Sequence, residues 1–324
     1  MVIAVGAVLV ASLFTIIALG SGPSSSTVAT TRQSTTSTTT SASTTPSSPT
    51  STPPTTTTQS PTTSQPPTTS QPPTPDPTGL AVLPERSWDQ LPGPHSTHQN
   101  WVTLQQSRLY GYDIPAMRCP DLPPTLNSQE QFRTWATNTV NCQHNGWASV
   151  FQRAGMRLPR PSLYFISGPT QTPCGKISGS YYCGYFDLSE TNIYLHSDLI
   201  TDTNQWWRLR AFDTIAHEYG HHVQMAGGLF RASTAISDAG TMTVAERQRR
   251  LELQASCWAA RITVATPVTQ YSPRDHAIFI QWSQRDQDEY HGSAASNQYW
   301  WQRGQYMSKV GGCNTWTVGS SRVS

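Results

Sequence analysis

Ala216-His217-Glu218-Tyr219-Gly220-His221-His222 lies inside a longer run, Trp206 to Met225, whose apolar residues fall at Trp207, Leu209, Phe212, Ile215, Ala216 and Val223. That three-and-four spacing predicts one helix with a buried face. On it His217 and His221 stand one turn apart and project from the same side. Two neutral imidazoles held this way suit one Zn²⁺, at about 2.0–2.1 Å each. Glu218 directly follows the first histidine, so it points to the flank of such an ion. There it is placed to take a proton from an attacking water. His222 is rotated well off that face and is expected to be structural or exposed.

Two histidines leave a catalytic zinc one protein ligand short, since such sites carry three plus water. The best candidate downstream is Glu252, in Leu251-Glu252-Leu253-Gln254-Ala255-Ser256-Cys257. Thr243 to Val264 reads as the next helix, with Thr243 as its cap and Glu246 three residues on, a capping-box pattern. An αα-hairpin would return that helix against the first and bring Glu252 to the histidines. The neighbours of Glu252 are apolar, so its carboxylate needs a counter-charge. The alternative is a solvated glutamate on an exposed face.

Working outward, Ser128 to Gly155 reads as a helix. Ser128 is its cap, Gly155 ends it, and Gly146 is a weak point in its middle. Pro161 opens a β-like run at Leu163–Ile166, and Asn192–Leu195 reads as a second strand just before the metal helix. If that second strand is a sheet edge, its free main-chain groups suit an extended peptide; otherwise it is an ordinary capped edge. Residues 231–242 are small and polar and are expected to be a loop. Two further helices are expected at about Pro273–Tyr290 and Ala294–Lys309. The cluster Arg247, Arg249, Arg250 reads as a solvated helix face. Residues 80–125 are Pro-rich and irregular, packed over the domain.

Residues 1–20 are almost wholly apolar and uncharged, long enough as a helix (about 30 Å) to cross a bilayer core. A membrane anchor is the preferred reading; a cleavable signal peptide ending near Ala18-Leu19-Gly20 is the other. Residues 21–78 are nearly all Ser, Thr and Pro, with Thr62–Pro67 repeated at once as Thr68–Pro73. Such a segment buries no core and is expected to be a disordered stalk. The domain proper is then 79–324. All 6 cysteines lie beyond residue 118. Their even number, behind an apolar leader, points to three disulfides in an oxidising compartment. Fifteen connectivities are open; pairing of neighbours (119/142, 174/183, 257/313) is the expectation. Only 12% of residues are charged and the net charge is +2, which argues against a nucleic-acid partner.

These residues carry a resemblance. Ala216–Gln224 followed by Leu251–Trp258 resembles the bacterial neutral zinc metallopeptidase family. The likeness continues through Cys174-Gly175, Tyr182-Cys183, Ile193-Tyr194, His291-Gly292-Ser293 and Cys313, and covers roughly residues 100–315. It implies an α+β, mostly helical, zincin-like domain akin to the gluzincins, with a small sheet beside the metal helix. It implies His217, His221 and Glu252 as ligands of Zn²⁺ and Glu218 as the base. In the family pattern an aspartate follows the ligand glutamate by four residues and orients a ligand histidine. Here that position is Ser256, which offers a hydrogen bond without the charge. Asp213, one turn before His217, is a candidate replacement. His291, at a helix-to-glycine boundary, is the candidate donor to the oxyanion; the alternative is a surface cap.

The expectation is therefore a monomeric, single-pass, membrane-tethered zinc endopeptidase acting outside the cytoplasm on peptide or protein substrates, or its secreted equivalent. The rivals are a stalked binding module with a structural or decayed zinc site, and a metal-free wall-binding domain with an aromatic surface.

Overall fold

The computed structural model describes residues 83–324 apart from 116, 124, 127, 201–204 and 285–286, and not the side chains of 205–207. The expected membrane or signal helix and the stalk lie outside these residues. Among the described residues, no helix is long and apolar enough to cross a membrane.

The domain is mostly helical with small sheets, an α+β arrangement. In chain order its elements are α1 (Gln99–Gln105), α2 (Gln129–Arg153), β1 (Ser162–Ile166), β2 (Thr170–Thr172), β3 (Gly175–Ile177), β4 (Tyr181–Gly184) and β5 (Thr191–His196). There follow α3 (Gln205–Ala226), α4 (Leu229–Asp238), α5 (Val244–Ala265), α6 (Pro273–Ser283) and α7 (Ala294–Tyr306). The central pair is α3 and α5; α2 lies against α3, and α7 against α5.

Gly220 explains how closely the central pair approaches. A Cβ there would stand 3.2 Å from the Ala255 Cβ and 3.3 Å from its Cα. The missing side chain lets α5 settle against α3 at this level, one turn from Glu252. The burial of Leu209, Phe212, Ile215, Ala216 and Val223 matches the apolar stripe that predicts α3. Trp147 of α2 and Trp258 of α5 are fully buried, with ring centroids 5.7 Å apart, and form the middle of the main core.

β1, β5 and β4 form one sheet in that order, β1 parallel to β5 and β4 antiparallel to it. This corrects the expected placement of Asn192–Leu195. The strand is central, and the edge near α3 is β4. β5 is buried along nearly its whole length, Thr191 to Leu195, which is what a central strand requires.

The three disulfides join Cys119–Cys142, Cys174–Cys183 and Cys257–Cys313, the neighbour pairing. Cys174–Cys183 ties the β2–β3 hairpin to β4. Cys257–Cys313 closes 56 residues and ties α5 to the segment after α7; a loop of that length contributes about 4 kcal/mol on the chain-entropy account.

Several local readings are corrected. α2 runs unbroken through Gly146, where the absent side chain makes room for Met117. Ser128 does cap it, accepting from the Gln131 N–H, and Gly155 (φ 64°) follows its end. Residues 231–242 are largely helix, because Leu229, Phe230, Ser233 and Ile236 form a buried face and the Ser233 hydroxyl donates back to the Phe230 carbonyl. Thr243 caps α5, but Glu246 does not complete a box; its carboxylate takes the Arg250 guanidinium instead, at 2.7 and 3.0 Å. α6 stops at Ser283 and α7 at Tyr306.

Candidate metal centre

α3 and α5 deliver three side chains to one point. His217 Nε2 and His221 Nε2 are 3.1 Å apart, and Glu252 Oε2 is 3.1 Å from the first and 3.2 Å from the second. Glu252 and His221 are buried, 3% and 1% exposed, while the His217 side chain keeps 21% of its surface open. Among the described residues this is the one group of three or more His, Cys, Asp or Glu with donor atoms close enough to share a metal ion.

The environment fixes which lone pairs face inward. The Gln224 amide nitrogen donates to the Leu251 carbonyl (2.8 Å) and to Gln254 Oε1 (3.1 Å). Its oxygen therefore faces His221 Nδ1 at 2.9 Å and accepts that proton. With Nδ1 protonated, His221 turns a lone pair on Nε2 toward Glu252 and His217. His217 Nδ1 meets the Ser256 hydroxyl at 3.2 Å.

The three donor atoms lie within 3.2 Å of one another, and with Nε2 of both histidines unprotonated a cation is what relieves the crowding. In the metal-free geometry one proton serves. Burial lowers the His221 imidazole, but the Glu252 charge and hydrogen bond override it and raise the pKa to about 9. Burial would raise Glu252; the His221 charge and the two imidazole hydrogen bonds outweigh it and hold the carboxyl well below its usual range. His217 is pushed down by burial. Among the described residues, the buried Glu252 Oε1 has no hydrogen-bond partner.

The donor set fits Zn²⁺. Three ligand atoms about 2.0–2.2 Å from one tetrahedral ion stand about 3.3–3.6 Å apart, close to the triangle found. Two imidazoles, one carboxylate and a side open through His217 match an open site rather than a closed structural one.

Glu218 lies beside this trio, 6% exposed. Burial pushes its carboxyl up to about 8; the His221 charge pulls it back, and the Glu252 charge adds to the rise. The Tyr182 main-chain N–H donates to it, which sets edge strand β4 directly against the site. His291 also reaches the trio, its Nε2 4.0 Å from Glu252 Oε2. It stands on a turn well beyond the end of α6, not at a helix boundary as expected. Asp288 aims it: one carboxylate oxygen accepts from His291 Nδ1 at 2.7 Å, and the other accepts from the Tyr290 and His291 main-chain N–H groups, each at 2.7 Å.

Asp213 is buried and accepts from the Thr263 hydroxyl at 2.8 Å. The side chain found on His217 Nδ1 is Ser256. His222 is fully buried, between the Tyr182 hydroxyl (3.3 Å) and the Pro159 carbonyl (2.8 Å), so it belongs to the core. Sequence reasoning missed Asp288, Gln224 and the main chain of Tyr182. The first two carry a signal: each stands three residues from a histidine already singled out, a spacing that permits side-chain contact.

Fold and site together define a mostly helical domain with a His/His/Glu trio, shared by two packed helices, whose donor atoms lie close enough to hold one metal ion. Residues 123–270 match the family described as putative neutral zinc metallopeptidase. Over 122 residues the chain is 31% identical to the uncharacterized protein YpfJ of Escherichia coli K12, an overlap of 35% of this chain and 41% of that protein. Over 110 residues it is 36% identical to the uncharacterized protein Rv2575 of Mycobacterium tuberculosis, covering 31% of this chain and 34% of the relative. The uncharacterized protein Mb2605 of Mycobacterium bovis gives the same figures. The chain therefore spans well under half the length of these relatives. No solved structure matches it.

Proposed function

We propose that the chain is a zinc-dependent endopeptidase with a gluzincin-like site, held outside the cytoplasm by residues 1–20. The observation that carries this reading is the convergence of His217, His221 and Glu252 within 3.2 Å, with Glu218 buried beside them. These three would hold Zn²⁺, which when bound supplies Lewis acidity toward a scissile carbonyl and makes water more acidic.

The chain's own groups supply the rest. Glu218, raised toward neutrality, takes the proton of the attacking water and passes it to the leaving amine. His291, steadied by Asp288, donates to the developing oxyanion. The edge of β4 beside Glu218 offers main-chain groups to an extended peptide, so the substrate is a peptide or protein in strand conformation. The six cysteines, all in disulfides, support an oxidising compartment.

The decayed-site alternative rests on Ser256. With a hydroxyl rather than a carboxylate on His217 Nδ1, the imidazole is a less basic ligand. Ser256→Asp is therefore expected to tighten zinc binding by about 10–100-fold in chelator competition. An unchanged affinity would show that Ser256 does not limit the site.

The test of the function is metal analysis joined to proteolysis. The purified chain should carry one zinc, cleave an unstructured protein such as reduced casein, lose cleavage on chelation and regain it with zinc. A zinc-loaded chain that cleaves no peptide would leave the binding-module alternative standing.

A further inference from the structure

The turn that carries His291 is held by a residue whose role lies outside the metal centre. Arg249 belongs to the cluster that reads as a solvated helix face, and the structure overturns that reading. Arg247 and Arg250 are 6% and 4% exposed. Arg250 donates to the Thr315 and Val318 carbonyls, and Arg247 to the Thr234 hydroxyl.

Arg249, one turn before Glu252 on α5, spans two segments. Its Nε donates to the Val323 carbonyl at 2.7 Å and its Nη1 to the Glu289 carbonyl at 2.8 Å. Val323 is fully buried, and Ser324 reaches the same turn, its carbonyl accepting from the Ser293 N–H at 2.7 Å. The Asn297 amide on α7 gathers the His291, Gly292 and Ser293 carbonyls from the other side, at 3.0–3.3 Å. At the centre Gly292 adopts φ 89°, and a Cβ there would meet both the Arg249 Cδ and the Ser324 oxygen at 3.4 Å.

We infer that Arg249 is a positioning residue for His291. The guanidinium is a planar fork with donors in fixed directions. It fixes the carbonyl of residue 289, which with residue 290 links Asp288 to His291, relative to the helix that carries Glu252. The 4.0 Å approach of His291 to Glu252 is thereby set by α5 itself. The residues Val323 and Ser324 complete the clamp and so act on the site without touching it. The consequence for rate rests on the peptidase reading above; the clamp itself does not.

The experiment uses the full zinc-loaded chain with Arg249→Met and Arg249→Lys. Amide hydrogen exchange is measured alongside kcat, KM and zinc content on a quenched casein-derived peptide. Met keeps the stem and removes both donors; Lys keeps the charge without the fork. Exchange at residues 290–293 is expected to quicken about tenfold or more in Arg249→Met, and less in Arg249→Lys, with α3 and the zinc content unchanged. kcat should fall about tenfold with KM held, and the same substitution in a His291→Ala background should bring no further loss. Unchanged exchange at 290–293 overturns the inference. So does exchange quickened throughout the domain in both variants, which makes Arg249 a stability residue, and so does an equal kcat loss in the His291→Ala background. Local quickening in a chain that cleaves no peptide upholds the clamp, and it is then the peptidase reading that fails.

Discussion

Glu218→Gln is expected to lower peptide cleavage by about 10²–10⁴-fold while zinc stays at one ion per chain. The two effects separate because Glu218 stands beside the donor triangle rather than in it. The amide is nearly isosteric, and its oxygen still accepts the Tyr182 N–H, so β4 and α3 keep their contact. What is lost is a group able to take up and release a proton. Steady-state cleavage by the zinc-loaded variant, with metal analysis on the same sample, reads both quantities. Cleavage within tenfold of the unmodified chain would assign the base elsewhere. Loss of zinc would mean that Glu218 belongs to the ligand set.

Glu252→Gln is expected to act on the metal first, weakening zinc by about 10²–10³-fold, and to lose activity with it. Structural zinc sites with four ligands are worth about 10–16 kcal/mol, so one ligand of a small set carries about 3–4 kcal/mol. The carboxylate is also the only negative charge among the three donors, since the two histidines ligate as neutral imidazoles. Chelator competition measures the change directly. Excess zinc should restore part of the cleavage, which it would not do for the Glu218 variant. An affinity within threefold of the unmodified chain would remove Glu252 from the site.

The sequence discloses the helix of the metal motif well, because a buried helix needs a regular apolar stripe and this one has it from Leu209 to Val223. It discloses the trio for a related reason: His217 and His221 are fixed by helix geometry, and Glu252 stands out as a carboxylate amid apolar residues. The close crossing that joins them is less legible. Gly220 reads as an ordinary spacer until Ala255 is seen against it. Sheet order was not legible at all, since two apolar runs do not say which is central. Tyr181–Gly184 is only four residues long and follows Ser178-Gly179-Ser180, so its two tyrosines do not stand out as a strand.

The arginine cluster failed for a physical reason. Three arginines on a helix normally mean solvent, and burial of Arg250 is tolerable only because carbonyls from residues 315–318 and the Glu246 carboxylate take its donors. Glu246 is only four positions away, but the carbonyl partners lie 65 and 68 positions away, beyond any local pattern. The same holds for His291. Its aim is set by Asp288 and Asn297 nearby and by Arg249 and Ser324 at long range, so sequence names the residue but not the turn that presents it.

The convergence of His217, His221 and Glu252 on one ion carries the whole account, and an anomalous difference map at the zinc edge from zinc-loaded crystals tests it most directly. The account predicts one peak, about 2.0–2.2 Å from His217 Nε2, His221 Nε2 and a Glu252 oxygen, with a fourth position left to solvent. A peak elsewhere, a fourth protein ligand closing the site, or Glu252 turned away from the two imidazoles would contradict it.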